Sequence, residues 1–144
     1  MPSERFDVKF LKLIALLTVS LHAETVRNLK YDSKHERNTL DFYPALKKDE
    51  KPAPVFVWFH GGGFRNGDKN QIEKYGRSTL NKFQKAGYAV VSCNYPFLSK
   101  DMEYREIVDH CGRAVKFVRS QSKRWNIDPN RLACGGVSAG ALIS

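Results

Sequence analysis

Gly136-Val137-Ser138-Ala139-Gly140 follows directly on the short apolar run Arg131-Leu132-Ala133-Cys134-Gly135. A serine flanked by small residues at a strand end stands on a sharp strand-to-helix turn, its hydroxyl pushed out of the backbone as a nucleophile for acyl transfer. The pentapeptide alone is equally compatible with an ordinary glycine-rich loop. A second motif gives it context. Val55-Phe56-Val57-Trp58-Phe59 reads as a buried strand and runs straight into His60-Gly61-Gly62-Gly63-Phe64. Three consecutive glycines leave the backbone free to turn N–H groups outward. Such groups can hold the negative oxygen of a tetrahedral intermediate. A glycine triplet by itself could be a hinge. A strand ending in H-G-G-G, followed later by a strand ending in G-x-S-x-G, points to an acyl-transfer scaffold.

Those motifs need elements to bring them together. Thr25 to Tyr31 and Thr39 to Tyr43 read as two short strands at a domain edge, joined by the polar segment Asp32 to Asn38. Lys47 to Pro54 reads as a charged connector, and Val55 to Phe59 as the first central strand. Asn70 to Lys85 reads as a helix ending at Gly87, followed by a strand from Tyr88 to Cys93 and a loop from Asn94 to Lys100. Tyr104 to Trp125 reads as one long amphipathic helix, because Ile107, Val108, Cys111, Ala114, Val115 and Val118 recur at steps of three and four. Asn126 to Asn130 reads as a turn, Arg131 to Cys134 as a strand, and a helix starts after Ser138. Strands alternating with helices imply an α/β class with parallel strands and crossovers. Active-site loops of such sheets gather at the carboxyl ends of the strands. Both glycine motifs therefore fall on one rim.

The chain has 144 residues, enough for one domain with a real core. It carries 24 Lys+Arg against 15 Asp+Glu, a net charge of +9. The charges are dispersed and no nucleic-acid motif accompanies them, so they read as a solvated surface and not as a nucleic-acid site. Residues 1–23 read as a signal peptide: Arg5, Lys9 and Lys12 precede the apolar stretch Leu13 to Leu21, and Ala23 marks a cleavage point. That stretch is too short for a stable membrane span. Export to the periplasm or outside the cell is the expectation, with residues 24–144 forming the domain. Cys93, Cys111 and Cys134 read as small buried residues, and none has metal-ligand spacing to a histidine. No metal or cofactor site is expected. Asp68 reads as a cap for a turn or the following helix.

With these residues in hand, the chain resembles the α/β-hydrolase superfamily, most closely the hormone-sensitive-lipase-like and bacterial carboxylesterase branch with its exported carbohydrate-esterase relatives. The resemblance rests on His60-Gly61-Gly62-Gly63-Phe64, on Asn94-Tyr95, and on Asp128 to Ala133 followed by Gly135 to Gly140, and it covers roughly residues 35 to 144. It implies that Ser138 is the nucleophile and that the N–H groups of Gly62, Gly63 and Ala139 form the oxyanion hole. His60 and Gly61 would shape the loop. Phe64 and Tyr95 could line an acyl pocket or simply pack. The implied activity is hydrolysis of carboxylic esters, on a small-molecule or carbohydrate-linked substrate, through an acyl-enzyme and without a cofactor. An acid and a histidine would follow the serine in chain order. Only Ala141-Leu142-Ile143-Ser144 follow Gly140. His22, His35, His60 and His110 all precede Ser138. The expectation is an incomplete chain, the N-terminal half of the fold, inactive by itself. Two alternatives stay open: a non-catalytic remnant or binding module of the same fold, and an amidase or peptidase.

Overall fold

The computed structural model describes residues 24–47, 49 and 51–144. The signal-peptide expectation and His22 lie outside the described residues. Five strands form one sheet: β1 (Val26–Lys30), β2 (Thr39–Tyr43), β3 (Ala53–Phe59), β4 (Ala89–Cys93) and β5 (Ile127–Gly136), in the spatial order β1-β2-β4-β3-β5. β1 and β2 form an antiparallel edge, and β2 is antiparallel to β4. β4, β3 and β5 run parallel, and helical crossovers link β3 to β4 and β4 to β5.

Period-two alternation along β3 sorts side chains between two cores. Val55, Val57 and Phe59 face the larger one, with Phe42, Val91, Ile107 and Val118. Trp58 faces the smaller one, with Tyr43, Ile72, Leu80 and Val90, and Phe56 packs against it. Buried apolar residues on both faces explain why β3 reads as a continuous hydrophobic run.

The helices depart from expectation at their breaks. The first one divides into α1 (Gln71–Lys74) and α2 (Arg77–Lys85). Gly76, with low helix propensity, separates them, and a Cβ there would sit 3.1 Å from the Ile72 carbonyl oxygen. The break lets both Ile72 and Leu80 reach the same core. The long helix is α3 (Tyr104–Ser120), opened by the Glu106 carboxylate accepting the Glu103 N–H at 2.8 Å. After Gln121 one further turn, α4 (Ser122–Trp125), brings Trp125 flat against Phe42, ring centroids 4.3 Å apart.

Two boundaries also change. β3 starts at Ala53 and takes in Pro54, expected in the connector. The Asn126 to Asn130 turn and the Arg131 strand merge into β5. Ala53 pairs with Ile127 and Val55 with Leu132, so two steps on β3 oppose five on β5. The extra residues buckle out as a bulge. The turn chemistry survives inside it, since Asn130 donates its N–H to the Asp128 carboxylate at 2.9 Å. A proline lacking its N–H is accommodated where the ladder is already interrupted. Cys93 and Cys111 are buried, but Cys134 is exposed, against expectation, because β5 is the outermost strand of the sheet among the described residues.

Candidate active site

Phe59 at the end of β3 lies directly opposite Gly136 at the end of β5. The two glycine motifs therefore leave the same sheet edge from adjacent strands. They meet: a Cβ placed on Gly61 would lie 3.0 Å from the Val137 carbonyl oxygen and 3.5 Å from Ser138 Cβ. The pentapeptide's flanking glycines have a steric cause. A Cβ on Gly136 would approach the Phe59 carbonyl oxygen to 2.4 Å, and one on Gly140 would approach it to 2.0 Å. Both partners are backbone and cannot turn aside.

Ser138 lies between them at φ 53° and ψ −118°, a conformation ordinarily given to glycine. α5 (Ala139–Ile143) starts immediately after it. Ser138 is exposed, and its hydroxyl takes part in no hydrogen bond among the described residues.

The bend after His60 is tightly folded. Gly62, Gly63 and Phe64 have φ of 127°, 61° and 60°. The Gly62 carbonyl accepts N–H bonds from Arg65 at 3.1 Å and Asn66 at 3.2 Å. A Cβ on Gly62 would collide with the Asn66 carbonyl oxygen at 2.0 Å, whereas one on Gly63 would meet nothing within 4 Å. Among the described residues, the N–H groups of Gly62, Gly63 and Ala139 have no acceptor. Ala139 opens a helix, where the first N–H groups have no intrahelical partner.

His60 is fully buried and stacks on Tyr95, ring centroids 4.3 Å apart. Its Nδ1 is 2.7 Å from the Gly61 carbonyl oxygen, and its Nε2 is 3.4 Å from Arg37 Nη2. Burial, reinforced by the Arg37 charge and opposed by the Gly61 bond, lowers its pKa to about 4. Both nitrogens of the neutral imidazole are thus engaged within the bend. Tyr95 is also fully buried, and its hydroxyl donates to the His60 carbonyl at 2.6 Å. It thereby supports the start of the bend from within the core. Phe64 is partly buried, edge-on to Tyr104 at 5.2 Å.

The other described histidines stand elsewhere. His110 on α3 is buried, with Nδ1 2.9 Å from the Asn38 amide nitrogen; burial, then the Arg113 charge, lowers its pKa. His35 accepts the Arg37 N–H at 3.1 Å. Asp68 forms the expected turn ahead of α1, accepting the Asn70 N–H at 2.9 Å. Burial pushes its carboxyl up, but the Asn70 and Asn94 hydrogen bonds with Lys69 and Arg37 outweigh this, so the net shift is down.

Motif reading missed the supports of this loop. Asn94 Oδ1 accepts the Lys69 N–H at 2.7 Å, and Ser92 Oγ donates to the Lys69 carbonyl at 2.6 Å. Lys69 Nζ pairs with Asp41 of β2 at 3.0 Å, both side chains buried. Arg37 joins the same region from the β1–β2 connection. Asn94 sits in the Asn94-Tyr95 motif, but the other partners lie far apart in sequence and no local signal marks them. A depression of about 130 Å³ lined by Lys47, Pro54, Tyr88 and Arg131 lies at the opposite, amino-terminal rim of β3 and β4. Among the described residues no cluster of His, Cys, Asp or Glu is placed to hold a metal ion, and no helix is long and apolar enough to cross a membrane.

Residues 40–144 match the BD-FAE family. Esterase LipI of Mycobacterium tuberculosis is 29% identical over 103 residues, covering 72% of this chain and 31% of that protein. An AB hydrolase superfamily protein of Schizosaccharomyces pombe is 30% identical over 103 residues, covering 72% and 29%. Among solved structures, a truncated form of carbohydrate esterase from gut microbiota superposes with a TM-score of 0.72 at 22% identity, covering 85% of this chain and 42% of that one. Esterase B of Lactobacillus rhamnosis gives 0.70 at 23% identity, covering 83% and 38%. The chain spans about a third of the length of the curated relatives it matches.

Proposed function

The chain belongs to the BD-FAE family, with an α/β-hydrolase fold of the hormone-sensitive-lipase-like branch, and we propose that it supplies the nucleophile and oxyanion site of a serine carboxylic ester hydrolase. The observation that carries this reading is the meeting of the triglycine bend with the serine elbow. Ser138 Oγ attacks the ester carbonyl carbon and gives its proton to a general base. The carbonyl oxygen becomes an oxyanion, held by the unpaired N–H groups of Gly62, Gly63 and Ala139. The intermediate collapses, the ester C–O bond breaks, and the alcohol leaves with the proton. Water then attacks the acyl-serine, releasing the carboxylic acid and restoring the hydroxyl.

The base comes from outside the described residues, because His60, His35 and His110 are all engaged elsewhere. Gly63 borders open space above the bend, the side from which an acyl group would approach. The substrate class we favour is a small-molecule or carbohydrate-linked ester.

A fluorophosphonate probe tests the nucleophile. The whole protein, with its general base in place, is expected to label once, and its Ser138→Ala variant not at all. Equal labelling of the two defeats the assignment. An unlabelled protein favours a non-catalytic module of the same fold.

A further inference from the structure

We propose that Arg37 is the positioning residue of the triglycine bend: its guanidinium joins three loops and holds His60 as the Nδ1–H tautomer. The inference rests on the oxyanion role given above to that bend. Arg37 lies in the connection between β1 and β2, outside both motifs. Its Nε donates to the Tyr95 carbonyl at 2.9 Å, in the loop after β4. Its Nη2 donates to the Gly67 carbonyl at 3.0 Å, in the loop after β3, and lies 3.4 Å from His60 Nε2. The guanidinium carbon sits 3.8 Å over the Phe97 ring.

The tautomer follows from donor and acceptor chemistry. The Gly61 carbonyl can only accept, so the close contact at 2.7 Å puts the proton on Nδ1. Nε2 of a neutral imidazole is then an acceptor, and Arg37, which can only donate, faces it. Reversing the tautomer would set lone pair against carbonyl on one side and N–H against N–H on the other. The ring orientation thereby fixes the Gly61 peptide, one residue ahead of Gly62.

Arg37 projects from a stiff turn. Its own N–H donates to His35 Nδ1, its carbonyl accepts the Thr39 N–H at 2.7 Å, and neighbouring Asn38 is fully buried against His110. A side chain that loses little freedom can hold a loop at small entropic cost. A lysine could not replace it, since a point charge cannot stack on Phe97 and fork to two carbonyls together.

The test uses the whole protein, general base included, labelled with ¹⁵N-histidine and read at pH 7, alongside fluorophosphonate labelling of Ser138. The expected spectrum has His60 protonated at Nδ1, with His60→Gln identifying the signal. Arg37→Met and Arg37→Lys are expected to convert it to a tautomer mixture and to slow labelling about 10- to 100-fold, the scale of a site displaced by an ångström or so. A proton on Nε2 in the unsubstituted chain overturns the proposal whether or not a variant folds. So do a spectrum and labelling rate unchanged in Arg37→Met. If the whole protein does not label while its His60 spectrum responds to Arg37, the hydrolase reading fails and the control of the loop by Arg37 stands.

Discussion

Replacing Ser138 by glycine is expected to make the protein more stable while removing the proposed nucleophile. Ser138 holds φ 53° and ψ −118°, the geometry of the first central residue of a type II′ turn. A side chain there costs on the order of 1–3 kcal/mol. The exposed hydroxyl forms no hydrogen bond among the described residues, so no compensating contact is lost with it. Glycine relieves the strain and gives back roughly 0.5–1 kcal/mol through its greater freedom in the unfolded chain. The net expectation is a gain of about 0.5–2 kcal/mol. Urea unfolding reads it directly: with a slope of about 2 kcal/mol per molar, the midpoint rises by roughly 0.3–1 M. Ser138→Ala is the control, because alanine keeps the Cβ and hence the strain, and should stay within about 0.5 kcal/mol of the unsubstituted protein. Equal stabilisation by alanine and glycine would refute a backbone origin. A glycine variant no more stable than the parent would show that the elbow is unstrained.

Two further outcomes follow from the same geometry. Gly140→Ala drives a Cβ to 2.0 Å from the Phe59 carbonyl oxygen and should lose at least about 2 kcal/mol; Gly63→Ala, with open space but φ 61°, should lose only about 1 kcal/mol. Paired urea curves check the contrast. The depressed pKa of His60 ties stability to pH. Because the folded pKa of about 4 lies below the ordinary 6.5, the unfolded chain binds the extra proton first, so this contribution is intact above about pH 6.5 and is lost as pH falls towards 4. It is worth up to about 3 kcal/mol, and a His60→Gln variant should lose that part of the slope between pH 7 and pH 4.5.

The strands and both glycine turns were readable because their information is local. Val55 to Phe59 is apolar on both faces since two cores flank β3, and Gly136 and Gly140 are glycines since a carbonyl occupies the space of their side chains. The helix breaks were hidden because α1 and α2 share one hydrophobic rhythm across Gly76, a residue that helices sometimes tolerate. The bulge in β5 was hidden because Asp128-Pro129-Asn130 carries turn chemistry whether or not a strand continues through it. Cys134 looked buried because an apolar strand does not reveal whether it lies inside a sheet or at its margin. Arg37 could not be found at all. Its partners at 60, 67 and 95 become neighbours only after the sheet has formed, and its own segment looks like any solvated turn.

The pairing of Phe59 with Gly136 has a consequence for how such a protein diversifies. The proposed attacking group and anion cradle rise from one shared footing, the two ends of a single rung with no joint between them. Surrounding segments are then free to lengthen, shrink or change partners over evolutionary time. New substrates can be courted at the periphery while the reaction centre keeps its alignment.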